Sequence, residues 1–255
     1  MLKQNNLGEE ELKNMLQHIA INRVFFGHQS VGSNILDGIK DQATNSTINL
    51  GIHTLSQHKQ LETGITHSRI GTNQDPISKF RAFDLLLEEG VASSADLALL
   101  KLCYIDINSE TDTNSLFDTY SSFSEKWRAN FPELPIVICT VPLTYQRRSI
   151  IGKTLSLLGQ KSKNSLDNLT REQFNKRLKE YHGPAHCFDL AQLEATMPDG
   201  SCSYAPRTKI PQLYPGYTSD GGHLSSEGKT HIARALIQFL SAALSGKPHK
   251  ESIQP

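Results

Sequence analysis

The sequence predicts an α/β protein: a three-layer α/β/α sandwich around a five-stranded parallel sheet. Two observations carry this reading. Short apolar runs alternate with helical patterns from end to end, the order that builds parallel strands joined by crossover helices. The strongest run, Asp96–Ile107 (DLALLKLCYIDI), is too continuously apolar for a strand with one wet face.

The elements follow in order along the chain. Arg23–Phe26 (RVFF) reads as strand one. Gly32–Lys40 has helical spacing, with Ile35 and Ile39 four apart. Ile48–Leu55 reads as strand two. Pro76–Glu89 is a helix with Phe80, Phe83, Leu86 and Leu87 on one face. Asp96–Ile107 is strand three, and Leu116–Asn130 the next helix. Pro135–Val141 (PIVICTV) is strand four, ended by Pro142. Arg171–Tyr181 is a helix, Ala185–Leu190 strand five, and Ser226–Leu244 the last helix, with Ile232, Leu236, Phe239 and Leu240 in one stripe. Arg147–Thr170 is a polar insertion with a short helix around Leu155–Leu158. Met197–Ser219 is a loop long enough to be functional or mobile. Met1–Asn14 is polar and helix-like.

A chain of 255 residues can bury a core without disulfides or metals. One domain is expected over residues 1–255, with its core at about 20–245 and a polar tail from 246. Lys plus Arg and Asp plus Glu are 26 each, which argues against a nucleic-acid partner. No stretch is long and apolar enough to span a bilayer, and Met1–Asn14 lacks an apolar signal core. The expectation is a cytoplasmic protein, or an exported one whose leader has been removed. None of the four cysteines forms a C-x-x-C pair. Cys103, Cys139 and Cys187 read as core or strand residues. Cys202 is loop-borne and can reach Cys187, but free thiols are favoured over that disulfide.

In a parallel sheet, ligand sites form beyond the carboxyl ends of the strands. Gly27-His28-Gln29-Ser30-Val31-Gly32 follows strand one and opens a helix. Ser30 there is either a helix cap or a nucleophile at a helix N-terminus that favours negative charge. Asp220-Gly221-Gly222-His223-Leu224 precedes the last helix. His223 is either a solvated loop residue or a base whose second nitrogen faces Asp220. Together the two segments suit a serine nucleophile, its base and its orienting acid, because a parallel sheet brings both to one edge.

These blocks resemble the SGNH hydrolase superfamily, the GDSL esterases. The resemblance runs in order from about Arg23 to Leu244. Ser30 takes the nucleophile position, with His28-Gln29 where the usual motif has one Asp. Asp220-Gly-Gly-His223-Leu-Ser-Ser-Glu-Gly matches the last block, and Asn175–Tyr181 and Phe188–Ala191 resemble the late helix and fifth strand. The resemblance implies a flavodoxin-like strand order of 2-1-3-4-5, a Ser30–His223–Asp220 triad and no cofactor. It also implies hydrolysis of small O-acyl esters, such as acetyl groups, on carbohydrate or lipid. One block departs: where the family carries Gly-x-Asn-Asp after strand three, this chain has Cys103-Tyr104-Ile105-Asp106. The oxyanion donors then expected are the backbone N–H groups of Ser30 and Gly71 and the side-chain amide of Asn73. Asn73 is alternatively a turn or cap residue before Pro76. An acyltransferase using the same residues, and an inactive carbohydrate-binding module, are the competing expectations.

Four further features have two readings each. His28 either contacts substrate or bonds to backbone. Arg147, beside Arg148 after strand four, either meets an anionic substrate group or is an exposed, solvated cation. Lys101, inside an apolar run, needs a partner such as Asp106, or reaches the site. His53, His58 and His67 fit no usual ligand spacing, so no metal is expected.

Overall fold

The computed structural model describes residues 8–146 and 162–246. A six-stranded sheet in the order β2-β3-β1-β4-β5-β6 lies at its centre. The strands are β1 (Arg23–His28), β2 (Ile52–Thr54), β3 (Gly64–Arg69), β4 (Leu97–Lys101), β5 (Ile136–Cys139) and β6 (Cys187–Phe188). Every pairing is parallel. With the edge strand β2 set aside, the other five run in the expected order.

The extra strand corrects the reading of Ile48–Leu55. Only Ile52–Thr54 of that run joins the sheet, as an edge, and the strand beside β1 is β3. β3 is GITHSR, with one strongly apolar residue, Ile65. Its place is set by backbone pairing between two neighbours rather than by side-chain pattern. Strand three also ends early. β4 stops at Lys101, and Tyr104–Asp106 turns as a 3-10 helix. Asp106 folds back there: its Oδ2 accepts from the Cys103 N–H at 2.6 Å and from Lys79 Nζ at 2.5 Å.

Alternation along the strands separates two cores. Val24, Phe26, Leu97, Leu99, Val137 and Cys139 face one. Phe25, Ala98, Leu100 and Ile138 face the other. The first face is covered by α1 (Glu9–Ile21), α2 (Ser30–Asn45) and the last helix, α7 (Ser226–Ser245). The second is covered by α3 (Pro76–Leu86), α4 (Thr113–Asn130) and α5 (Lys163–His182). Helix α5 starts well before the expected Arg171 because Ser162 caps it, its Oγ accepting from the Ser165 N–H at 3.2 Å. A short α6 (Leu190–Ala195), capped by Asp189, was not legible in the sequence. Arg147 and the short helix expected around Leu155–Leu158 lie outside the described residues.

Two looser expectations also resolve. The loop after α6 is tied down: Ser203 N–H donates to Ala195 O at 2.7 Å, and Ile210, Leu213 and Tyr217 are buried. Lys101 is buried and does not pair with Asp106; its Nζ donates to Leu102 O at 3.0 Å. All four cysteines are free thiols. No helix among the described residues is long and apolar enough to cross a membrane.

Candidate active site

The site is built at the carboxyl ends of β1, β3 and β4, where three loops meet. The first loop is the junction of β1 and α2. Gln29 is the N-cap of α2, but its side chain makes no capping bond. Its Nε2 instead donates to Ile70 O at 2.9 Å and Gly71 O at 3.0 Å. The N–H of Ser30, the first residue of α2, has no partner among the described residues, as a first-turn amide has no helical carbonyl one turn before it. The same bonds draw the Gly71 loop against the start of α2. Gly71 has φ +56, and a Cβ there would fall 2.6 Å from the Lys79 backbone nitrogen. A glycine is needed at this position. Its N–H also donates to no described residue.

Asn73 follows on that loop. It is exposed, and its Oδ1 accepts from Lys79 Nζ at 3.1 Å. Lys79 is fully buried and joined to Asp106, whose Oδ1 accepts the Gln74 N–H at 3.0 Å. This buried ion pair ties the loop after β3 to the turn after β4.

The third loop carries Asp220 and His223. Asp220 Oδ2 lies 2.6 Å from His223 Nδ1, and Oδ1 accepts the N–H groups of Gly222 at 2.9 Å and His223 at 2.8 Å. Partial desolvation works against ionisation of Asp220. These bonds outweigh it and hold the carboxyl well below the usual carboxylate range. Gly221 adopts φ +96, and its carbonyl accepts the Tyr145 N–H at 2.7 Å. The loop is fastened to α2 as well: Leu224 N–H donates to Asn34 Oδ1 at 3.2 Å. Asn34 sits one helical turn after Ser30, on the same face. His223 and Ser30 are thus carried on segments joined next to both residues, although no hydrogen bond links the two side chains directly.

His28 is fully buried behind the junction. Nδ1 meets Gln29 O at 3.0 Å and Nε2 meets His67 Nδ1 at 3.0 Å. A carbonyl only accepts, so Nδ1 carries the proton, Nε2 is the acceptor and His67 donates. Burial lowers the His28 pKa to about 3, so the ring stays neutral. Both nitrogens are taken, which leaves His28 no polar atom for a substrate. Among the described residues, no three His, Cys, Asp or Glu gather as a metal site.

Two residues at the site carry no motif in the sequence. Tyr104 stands edge-on to His223, ring centroids 6.1 Å apart, and backs Gly222, where a Cβ would lie 2.9 Å from its hydroxyl. Burial, and then the Asp220 charge, raise its pKa, so it remains a phenol. Arg171 reaches up from α5, its Nε donating to Tyr104 O at 2.9 Å.

No protein-family model matches the chain, and no curated protein matches it by sequence. Several solved structures are similar in shape. One is a protein assigned to the G-D-S-L lipolytic family of Desulfitobacterium hafniense DCB-2, at 12% identity, covering 85% of this chain and 97% of that one, with a TM-score of 0.45. The periplasmic domain of a lipopolysaccharide acetyltransferase from Salmonella ser. Paratyphi A is 12% identical over 93% of this chain and 98% of that one, with a TM-score of 0.47. A peptidoglycan O-acetylesterase is 17% identical over 72% of this chain and 49% of that one, also at 0.47. In fold, the chain is a three-layer α/β/α protein with an all-parallel central sheet.

Proposed function

We propose that this chain is a serine esterase acting on small O-acyl esters through Ser30, His223 and Asp220. One observation carries the reading. A histidine oriented by a carboxylate at 2.6 Å sits on a loop bonded to the helix that opens with Ser30.

In this reading Ser30 Oγ attacks the ester carbonyl carbon while His223 Nε2 takes its proton. Asp220 fixes the imidazole tautomer and stabilises the imidazolium. The carbonyl oxygen becomes an oxyanion, met by the N–H groups of Ser30 and Gly71 and by Asn73 Nδ2. Collapse breaks the bond to the alkoxy oxygen, and His223 returns the proton to the departing alcohol. Water, giving a proton to His223, then attacks the acyl carbon; collapse breaks its bond to Ser30 Oγ, which takes the proton back from His223, and the acid leaves.

A fluorophosphonate probe should label the wild type and not Ser30→Ala. Turnover of an aryl acetate should fall about 10⁴-fold or more in that variant. Equal labelling, or retention of the rate, would place the nucleophile elsewhere. Capture of the acyl group by an added sugar in preference to water would mark a transferase using the same residues.

A further inference from the structure

Against Tyr104, whose ring also meets that of His223, lies a cleft of about 340 Å³. Its walls include Tyr104, Asn108, Thr144, Lys163, Asp167 and Arg171. Arg171 is 4% exposed, yet no carboxylate forms an ion pair with it among the described residues. Its Nε donates to the carbonyls of Tyr104 (2.9 Å) and Ile107 (3.0 Å). Its Nη1 donates to Thr144 Oγ1 and Asn168 Oδ1, both at 2.7 Å. All four acceptors are neutral. The remaining nitrogen, Nη2, donates to no described residue.

A buried cation satisfied only by neutral dipoles is costly unless an anion completes its shell. Asp167 and Glu194 favour the Arg171 charge only from beyond ion-pair distance. Asp167 Oδ1 accepts from the Ser109 N–H at 2.8 Å and from Lys163 Nζ at 3.2 Å, so its charge is already met. The cleft therefore keeps the Arg171 charge as its excess. Guanidinium is weakly hydrated and suited to carboxylate and phosphate oxygens.

We propose that this cleft receives an anionic group, a sugar carboxylate or phosphate, on the part of the substrate that carries the ester, with Arg171 Nη2 as its anchor. The binding claim stands on the cleft alone; the link to an ester rests on the function proposed above. Tyr104 connects the two places: Arg171 Cζ lies 5.9 Å from its ring centroid and the His223 ring centroid 6.1 Å. A substrate anchored at Arg171 would extend past Tyr104 toward His223, the proposed base.

Calorimetric titration of the whole protein with glucuronate, glucose 6-phosphate and glucose, at matched ionic strength, tests the proposal. At least one anion should bind about tenfold or more tightly than glucose, and which of the two does so separates carboxylate from phosphate. Arg171→Gln should abolish the preference. Arg171 also supports the loop after β4, so Asn108→Asp is the second variant: it keeps the Oδ1 that accepts the Glu110 N–H and adds a negative charge to the wall. It should weaken anion binding about tenfold or more. Equal binding of all three sugars, or anion binding untouched by Asn108→Asp, overturns the proposal. These titrations need no turnover, so failure of Ser30 labelling would sink the esterase reading and leave this one to its own result.

Discussion

Asn73, the proposed side-chain oxyanion donor, already makes one bond that limits its freedom. Its amide oxygen is occupied by Lys79 Nζ, so only the Nδ2 hydrogens remain to donate. Lys79 cannot swing away, because it is buried against Asp106. That bond limits the rotation of the amide, which would suit the oxyanion role proposed for Asn73. Asn73→Ala should lower kcat by about ten- to a thousandfold, while the lost Lys79 bond costs only about 1 kcal/mol of stability. Asn73→Asp should be at least as damaging, because its carboxylate repels the oxyanion. Normal turnover by the alanine variant would leave the backbone N–H groups of Gly71 and Ser30 to suffice. Ser30, Asp220, His223 and Gly71 were legible as candidates because each lies in a short local pattern with its own backbone need. Tyr104 and Arg171 were not. Their meaning depends on a contact across 67 positions, and a tyrosine after a strand and an arginine in a polar helix carry no local signal.

The elements around the site act as pairs rather than singly. Helix α2 supplies Ser30 and, one turn on, Asn34, which holds the backbone of Leu224. Helix α7 begins just beyond, with Gly228 close to the Tyr217 carbonyl and Gly38 of α2 facing Lys229 O, so the two helices approach closely. Asn34→Ala should cost about 1 kcal/mol in urea unfolding, the usual worth of one such bond. It should also reduce kcat more than it raises KM, because it loosens the proposed base and not the substrate. A variant that lost stability with full kcat would show that α7 packing alone places His223. Strands β1, β4 and β5 were legible because burial on both faces demands apolar runs. β3 was hidden for the opposite reason. Thr66 is buried at 2% exposure and Gly64 brings no side chain, so pairing with β1 and β2 holds the strand without an apolar pattern. The cap at Ser162 likewise extended α5 into a stretch whose polar composition gave no period.

Across the whole molecule, two buried titratable groups pull stability in opposite directions with pH. Glu194 is fully buried in α6. Its Oε2 accepts the Leu143 N–H at 2.7 Å, its Oε1 has no partner among the described residues, and its backbone carbonyl accepts from the Tyr214 N–H at 2.8 Å. Burial pushes its pKa up to about 8, against the Leu143 N–H, Lys101 and Arg171. The folded state therefore keeps a proton that the unfolded chain releases near 4.5. That contribution is fully present below 4.5 and is lost as pH rises through about 8. His28 has the reverse sign. Its pKa is lowered from 6.5 to about 3, so its contribution is full above 6.5 and falls as pH drops toward 3. Burial lowers the pKa values of His67 and His231 as well, which adds to the loss on the acid side. Glu194→Gln keeps an oxygen for Leu143 and stays neutral at every pH. Urea midpoints measured at pH 5, 7 and 9 should show the variant gaining on the wild type at each step upward. His28→Gln should instead flatten the wild-type decline between pH 6.5 and 5, before most carboxylates protonate. A Glu194→Gln difference that stayed constant from pH 5 to 9 would mean that Glu194 is already ionised in the fold. In that case Lys101, buried one strand away, would be its counter-charge.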